Sequence, residues 1–215
     1  FIHSKMAQRP GKFPRPSNRE DEMAFKMLLS GHSAGKLIGR GGSNIAELRS
    51  RLNVGCHIHG PENPFPNSNL QVAVLFGSRE NIDTAFNMVM PKIAEAEQDN
   101  AIHGGQISVM CVLTNNAVSA VIGTKGQTIA SLRAQVNCGF SADKEVYMGE
   151  QVIRVTGHPD RLPSALALLT PFIERSGDSM QFAMQDYSSM MGMGGMGGMG
   201  GMGGMGGMMG GMGGM

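Results

Sequence analysis

Residues 38–49 read Ile-Gly-Arg-Gly-Gly-Ser-Asn-Ile-Ala-Glu-Leu-Arg, and residues 122–133 read Ile-Gly-Thr-Lys-Gly-Gln-Thr-Ile-Ala-Ser-Leu-Arg. The two stretches lie 84 positions apart, and 9 of the 18 positions from Ile38 to Gly55 are identical to their counterparts. A match of this quality at a fixed offset indicates a duplicated structural unit. In both copies a Gly-x-x-Gly loop lies between two short apolar segments that favour helices.

The repeat continues beyond the loop, where Gly77 matches Gly157 at an offset of 80, so the first copy has a connection four residues longer. Each copy spans about 70–75 residues, and a domain of that size buries only about 60% of its unfolded surface. We therefore predict a flexible basic arm at 1–21, a first domain at 22–97, a linker at 98–105, a second domain at 106–175, and a disordered Met- and Gly-rich tail at 176–215.

Apolar runs and helical spacing predict the order strand, helix, loop, helix, strand, strand, helix in each unit. Strands are expected at 23–29, 56–59 and 70–76, and again at 107–113 and 151–156, with residues 143–149 as a connection. We expect the last helix of the second unit to begin at Pro159 and to run past Ile173. Pro91 and Pro171 occupy matching positions and are interpreted as kinks near the helix ends.

Composition excludes several classes of protein. The formal net charge is +1, so we do not expect the protein to coat nucleic acid through its overall charge. The sequence contains no run of 18 apolar residues, so no membrane span is predicted. Motifs for dinucleotide binding, a P-loop or a nucleophile elbow are missing, so neither an enzyme nor a cofactor is expected. Cys56, His57 and His59 alternate along one strand and do not converge, so no metal site is expected.

The last 26 residues consist of 11 Met and 15 Gly. Glycine is costly to order, so disorder is the first interpretation of this segment. Self-association through Met side chains and copper(I) binding through soft thioethers are the alternatives. The arm at 1–21 is interpreted as a solvated terminus or an accessory phosphate contact.

The repeated loop has the chemistry of a phosphodiester clamp. Glycines at both ends of residues 39–42 and 123–126 let a backbone approach closely, and each loop leads into a helix N-terminus that favours an anion. Arg40 and Lys125 add one cation to each loop. A single Gly-x-x-Gly is a weak signal, whereas two copies in the same context predict nucleic-acid binding.

With these motifs the sequence resembles the KH domain family in its eukaryotic type I form, closest to the poly(C)-binding and heterogeneous nuclear ribonucleoprotein K class. The resemblance covers residues 22–97 and 106–175 and implies an α+β fold. Each type I domain would have the order β-α-α-β-β-α, with a three-stranded sheet packed by three helices. KH domains clamp about four nucleotides of single-stranded RNA or DNA.

The resemblance also implies an RNA-binding groove along the first helix, the loop, the second helix and a central strand. In the first unit it implies Ala34, Gly35, Ile38, Gly39, Arg40, Gly41, Gly42, Ile45, Arg49, Cys56, Ile58 and Gln71. In the second unit it implies Val118, Ser119, Ile122, Gly123, Thr124, Lys125, Gly126, Ile129, Arg133, Phe140, Ala142 and Gln151. Arg49 and Arg133 would bond a base edge, although a solvated helix residue remains the alternative for both. The class has a basic residue where Gln71 and Gln151 stand, which weakens the expectation of cytosine preference.

We therefore expect single-stranded RNA binding that leans to pyrimidines and serves post-transcriptional regulation through splicing, mRNA stability or translation. Two linked sites raise avidity by roughly 10²–10⁴ when both reach one strand. The alternatives are single-stranded DNA binding and a protein-interaction scaffold with a self-associating tail. No membrane partner is expected, and the expected location is the nucleus, the cytoplasm or both.

Overall fold

The computed structural model describes residues 22–97, 101 and 104–188. The first domain contains, in chain order, β1 (Glu22–Leu29), α1 (Gly31–Ile38), a 3-10 turn (Arg40–Gly42), α2 (Ser43–Leu52), β2 (Gly55–Ile58), β3 (Gln71–Ser78) and α3 (Arg79–Ala96). Ser30 caps α1 and Ser78 caps α3, each through a side-chain oxygen that accepts a backbone N–H. Pro91 lies inside α3, which continues through it.

The second domain repeats this order with a differently divided last helix. Its elements are β4 (Ile107–Thr114), α4 (Asn115–Ile122), a 3-10 turn (Thr124–Gly126), α5 (Gln127–Val136), β5 (Gly139–Tyr147), β6 (Glu150–Gly157), α6 (Leu162–Ala167) and α7 (Thr170–Ser176). The prediction of one long helix from Pro159 is wrong, because the helix breaks at Leu168 and Leu169, and Pro171 lies in the first turn of α7. Most of the predicted connection at 143–149 is part of β5, which carries an irregularity between Ala142 and Val146.

The strands of both domains form one sheet in the order β2-β3-β1-β4-β6-β5. The α+β fold with two domains is confirmed, but the two expected three-stranded sheets are halves of a continuous six-stranded one. The halves meet where β1 pairs antiparallel with β4, with Met27 opposite Cys111. These two residues are 84 positions apart and therefore equivalent, so a pseudo-twofold axis passes between them.

The helices cover one face of the sheet, and the main core lies between these helices and the sheet. Phe25 of β1 and Phe86 of α3 are fully buried there, with ring centroids 4.8 Å apart in an edge-on arrangement. The α3 helix also contacts the second domain, since the Thr170 hydroxyl donates to the Asp83 carboxylate at 2.7 Å. Buried helix contacts and the shared sheet therefore both join the two domains.

The opposite side of the sheet, which we call the back face, is also covered. Its buried apolar residues are Ala24, Leu28, Val72, Val74, Phe76, Val112 and Val152. Two segments lie over it: the connection at 59–70, through Phe65, and residues 178–188, through α8 (Ser179–Phe182), Ala183 and Tyr187. The four extra residues of the first copy thus belong to a connection that covers this face.

The expectation of a disordered tail from residue 176 onward is wrong for its first part. Residues 178–188 are folded because apolar side chains among them fill the back face, and Tyr187 is completely buried. The remainder of the tail, the arm at 1–21 and much of the linker at 98–105 lie outside the described residues. In the described part of the chain, no helix is long and apolar enough to cross a membrane.

Candidate nucleic-acid interface

The two Gly-x-x-Gly loops have the same backbone conformation. The first residues, Gly39 and Gly123, have φ/ψ of 74°/173° and 70°/179°. The last residues, Gly42 and Gly126, have 81°/14° and 78°/14°. A hydrogen bond from the amide of the last residue to the carbonyl of the first closes each loop, at 3.1 and 3.2 Å. Both copies of the motif therefore build one shape.

The glycines at the two ends of each loop are needed for different reasons. A Cβ at Gly123 would lie 2.0 Å from Thr128 Oγ1, and one at Gly39 would lie 2.5 Å from Asn44 Nδ2. A Cβ at Gly42 or Gly126 would meet nothing within 4 Å. The first glycine is therefore required by the fold, whereas the last leaves open space above the loop, which a bound backbone can occupy.

Each loop presents positive charge beside a helix N-terminus. Arg40 and Lys125 are both exposed, and neither α2 nor α5 has an acidic residue in its first turn or a side-chain cap. The free N–H groups of these helices favour an anion, and the exposed cations add to that preference. Lys125 has a φ of 51°, a left-handed conformation that is unfavourable for a residue with a side chain.

The structure separates the predicted groove residues into accessible and buried ones. Around the first loop, Gly35 is exposed, Ile38 is 37% exposed, and Ile45 and Ile58 are half-buried. Around the second, Ser119 is exposed, and Ile122 and Ala142 are half-buried. Ile38, Ile45 and Ile58 beside the first loop, and Ile122 and Ala142 beside the second, therefore leave partly exposed apolar surface next to each loop.

Five of the predicted groove residues are instead core residues. Ala34, Val118 and Phe140 are no more than 2% exposed, because their side chains lie between the helices and the sheet. Cys56 and Ile129 are each 7% exposed. These residues lie beneath the predicted groove, and their assignment to RNA binding stays a prediction.

The strand next to each groove was expected to be central in its sheet, which is also wrong. β2 carries Cys56 and Ile58, and β5 carries Phe140 and Ala142; these are the two outermost strands. An outermost strand has backbone N–H and C=O groups on one side that no neighbouring strand occupies. Each predicted groove therefore borders a strand edge that no neighbouring strand covers, although on β5 the Phe140 carbonyl accepts from Arg133.

The two predicted base-contacting arginines are exposed on the second helices. The Arg133 guanidinium donates to the carbonyl of Phe140, with Nε at 3.0 Å, and so lies over the edge of β5. Arg49 lies near Cys56: burial raises the pKa of the Cys56 thiol to about 12, and the Arg49 charge opposes that rise. Both arginines thus lie above the outermost strand of their domain.

The two matching glutamines differ in their contacts. The Gln151 side-chain amide donates to the backbone carbonyl of Asp143. The Gln71 side chain has no hydrogen-bond partner among the described residues, and it lies on the helix-covered face of β3, in line with Ala73 and Leu75. The two grooves therefore present different polar groups at this position.

His57 of β2 and His59, which follows β2, point away from the groove. Cys56 packs in the main core, whereas His59 lies on the back face, with its ring centroid 6.4 Å from that of Tyr187 and 5.3 Å from that of His57. Burial, together with the nearby charges of His57 and Lys26, lowers the pKa of His59 to about 4. Among the described residues, no group of three or more His, Cys, Asp or Glu has metal-binding geometry.

Sequence reasoning missed the residues that hold the first helices in place. Asn44 donates to the carbonyl of Lys36 at 2.8 Å and so ties the end of α1 to the start of α2. At the other end, Glu97 accepts from Ser30 at 2.9 Å, and Asp178 accepts from Thr114 at 2.8 Å. In both domains an acid beyond the last helix thus accepts from the residue that caps the first helix, and only the capping residues Ser30 and Thr114 are equivalent in the repeat.

The fold contains two copies of one α+β unit, each with a Gly-x-x-Gly loop between its first two helices, and comparison with known proteins identifies the class. The KH domain family matches residues 24–90 and 109–170, more than half of the chain. The chain therefore belongs to the KH domain family and contains two KH domains.

Relatives share modest identity. The human RNA-binding protein Nova-2 is 18% identical over 195 residues, covering 82% of this chain and 39% of Nova-2. The RNA-binding protein rnc1 of Schizosaccharomyces pombe is 25% identical over 151 residues, covering 67% of this chain and 37% of rnc1. The chain thus spans less than two fifths of the length of either relative. The crystal structure of Dim2p from Pyrococcus horikoshii OT3 aligns over 74% of this chain and 97% of its own, at 14% identity and a TM-score of 0.27.

Proposed function

We propose that this chain binds single-stranded RNA, with each Gly-x-x-Gly loop holding the phosphodiester backbone and the adjoining groove holding bases. The observation that carries the proposal is the pair of loops with matching backbone, open space at Gly42 and Gly126, and one exposed cation each. RNA-binding relatives in the same family support it.

Within each groove the accessible residues have distinct roles in the proposal. The apolar surface of Ile38 and Ile58, or of Ile122 and Ala142, supports base faces through aliphatic contact. The edge of β2 offers backbone groups to base edges, and Arg49 adds a donor there. On β5, Arg133 already donates to the Phe140 carbonyl and offers only its remaining N–H groups to a base. Gln71 offers an unpaired amide in the first groove, whereas the Gln151 amide donates to Asp143. We therefore propose that the first groove is the more selective of the two.

The resemblance to the poly(C)-binding class supports a more specific proposal. We propose that the chain prefers pyrimidine-containing RNA and acts in splicing, mRNA stability or translation, in the nucleus, the cytoplasm or both. Single-stranded DNA is the alternative ligand, and the 2′-hydroxyl distinguishes the two.

Fluorescence anisotropy of the full chain on short poly(C), poly(U), poly(A) and poly(G) strands tests the proposal. We expect tight binding to one pyrimidine strand and stepwise loss in Arg40→Asp/Gly41→Asp, in Thr124→Asp/Lys125→Asp, and in the combined variant. Poly(dC) and poly(dU) strands serve as the DNA comparison. Glu47→Asp, a change on α2 outside the loop, is the matched control. Unchanged affinity in the combined variant would refute the clamp.

Salt provides an independent test. If Arg40 and Lys125 each neutralise one phosphate, these two contacts should contribute about −1.4 to the slope of log K against log salt, from roughly −0.7 per contact with a single strand. Each double loop variant removes one of these contacts and should reduce the magnitude of the slope by about 0.7.

A protein-interaction scaffold is the second candidate. Val146, Met148 and Met184 are 43–50% exposed, and the Gln185 amide contacts the Met148 sulfur, so these apolar side chains lie around the β5–β6 turn. Binding through this patch would be insensitive to salt and to the loop variants. A partner captured by the full chain and lost in Val146→Ser/Met148→Ser would favour this function.

A further inference from the structure

A buried polar cluster joins three separate parts of the chain. Lys26 of β1 and Glu150 of β6 are 3% and 1% exposed, and the Lys26 Nζ lies 2.7 and 2.9 Å from the two carboxylate oxygens. Tyr187 is fully buried; its hydroxyl donates to Glu150 at 2.6 Å and accepts from Lys26 at 3.0 Å. Lys26 belongs to the first KH domain, Glu150 to the second, and Tyr187 to residues 178–188, which follow both.

The repeat has uncharged residues at the positions equivalent to Lys26 and Glu150. At the offset of 84 the counterpart of Lys26 is Met110, and at the offset of 80 the counterpart of Glu150 is Leu70. Met110 and Leu70 both pack against the back face. One side of the pseudo-twofold axis is therefore apolar, and only the other side carries the ion pair.

A buried ion pair seldom stabilises a protein more than apolar residues of the same size, but it penalises arrangements that leave either charge unpaired. The pairing between the domains needs such a device, because β1 and β4 pair only from Lys26 to Leu28, opposite Met110 to Val112. A slip of these strands would leave Lys26 without Glu150 in an apolar environment. The ion pair therefore selects one alignment of the two domains.

Residues 178–188, which we call the strap, bind to both domains. The Ser179 hydroxyl accepts the Ala24 amide at 3.2 Å, and Asp178 accepts from Thr114 at 2.8 Å. The Tyr187 amide donates to Asn63 at 3.2 Å, and the Tyr187 ring packs edge-on against Phe65, with centroids 5.2 Å apart. The strap thus closes over the junction and supplies the hydroxyl that completes the cluster.

We propose that the strap and the Lys26–Glu150–Tyr187 cluster form a lock that fixes the alignment of the two KH domains and so sets the distance between the two RNA-binding grooves. Lys26, Glu150 and Tyr187 are positioning residues, since none of them lies in a groove. The part that concerns RNA rests on the proposed function. Its consequence is that an RNA with two binding segments has one preferred spacer length.

Two lock variants test this proposal in the full chain. Lys26→Met/Glu150→Leu copies the Met110 and Leu70 arrangement across the axis, so it removes the charges without leaving one buried alone. Tyr187→Phe removes only the hydroxyl. Gln181→Ala, a change at an exposed position of the strap outside the apolar patch, is the control.

The first measurement needs no RNA. Nitroxide labels at Ala46→Cys and Ala130→Cys sit at equivalent exposed positions on α2 and α5, while the native cysteines are buried. Pulsed electron–electron double resonance should give one narrow distance distribution for the otherwise wild-type protein and for Gln181→Ala. We expect a broad or shifted distribution in both lock variants. A narrow, unchanged distribution in both would overturn the lock.

The second measurement uses RNAs with two identical pyrimidine segments joined by spacers of increasing length, and a single-segment RNA. We expect one spacer optimum for the wild type, about tenfold weaker binding at that optimum in the lock variants, and unchanged affinity for the single segment. The same sharp optimum in the lock variants would overturn the link to groove spacing. Failure of the wild type to bind the single segment would refute the proposed function, while the distance measurement still decides the lock.

Discussion

Replacing the glycines of one loop separates what folding requires from what binding requires. Gly123 and Gly126 begin and end the second loop, with φ of 70° and 78°. An added methyl at Gly123 lies 2.0 Å from Thr128 Oγ1 and 2.7 Å from its Cβ, whereas one at Gly126 meets nothing within 4 Å. Gly104 has a φ of 82°, open surroundings and no place in either groove, so Gly104→Ala isolates the backbone strain.

The magnitudes follow from these distances. A positive φ costs a residue with a side chain roughly 1–3 kcal/mol, and this applies to all three alanine variants; the ψ of 179° at Gly123 lies in a region that essentially only glycine adopts. Overpacking adds about 1–3 kcal/mol at Gly123 alone. The melting temperatures of Gly104→Ala and Gly126→Ala should therefore be lowered by similar amounts, and that of Gly123→Ala should be lowered further. The expected shift is about 2–4 °C per kcal/mol for a folded unit of this size.

RNA binding should divide the same variants differently. The methyl of Gly126→Ala occupies the open space above the loop, so we expect about tenfold weaker binding, equivalent to about 1.4 kcal/mol. Gly104→Ala should bind like the wild type. Fluorescence anisotropy below the melting range of every variant gives these affinities. The reasoning would be refuted if Gly126→Ala bound RNA with wild-type affinity, or if Gly123→Ala were no less stable than Gly126→Ala.

Three further predictions concern charge and core. Stability should fall by roughly 3 kcal/mol as the pH drops from about 6.5 to about 4, because the pKa of His59 is lowered to about 4 in the folded protein and only the unfolded chain binds a proton there over this range. Denaturant titrations should show no such loss in His59→Phe. A loss that persists in this variant would assign the effect to another group. Lys125→Gly should stabilise the protein by about 0.5–1 kcal/mol by relieving the left-handed φ and should weaken RNA binding, whereas a lower melting temperature would contradict the strain. Ile129→Asn should destabilise the protein more than Ile45→Asn, since Ile129 is buried and Ile45 only half-buried. Each variant should melt in one transition because the two domains share a sheet, and two separate transitions would contradict that coupling.

The repeat and its loops were predictable because they depend on local chemistry. Gly39 and Gly123 are visible as paired glycines, and the helices that flank them follow from apolar spacing. The burial of Ala34 and Val118 was harder to foresee, since a short helix covers both the core and the groove, and its pattern does not say which residue faces which. The edge position of β2 depends on strand order, which no local signal records.

The junction between the domains could not be read from the sequence. β1 is a nearly continuous apolar run, which indicates burial on both faces but not the strand that pairs with it. Lys26 was the one charged residue inside that run, and its partner Glu150 is 124 residues away. Residues 178–188 carry no clear periodicity, so their place on the back face becomes apparent only when the sheet beneath them is complete.

The choice of which strands join and which remain outermost follows from their composition. β1 buries Phe25 and Met27 on one face and Ala24 and Leu28 on the other, so an open edge here would be an aggregation site. The outermost strands are better suited to their position: β2 has only four residues, and β5 ends in a charged, irregular stretch.

Pairing β1 with β4 therefore removes the two hazardous edges and leaves the two tolerable ones, each beside a Gly-x-x-Gly loop. Joining the domains also raises the buried fraction above the roughly 60% that a single unit of this size reaches, towards the 68–70% typical of a domain twice as large. Stability and the outward placement of the grooves thus have one origin, because the strands that must be covered meet at the centre and the strands that border the grooves are left at the two ends.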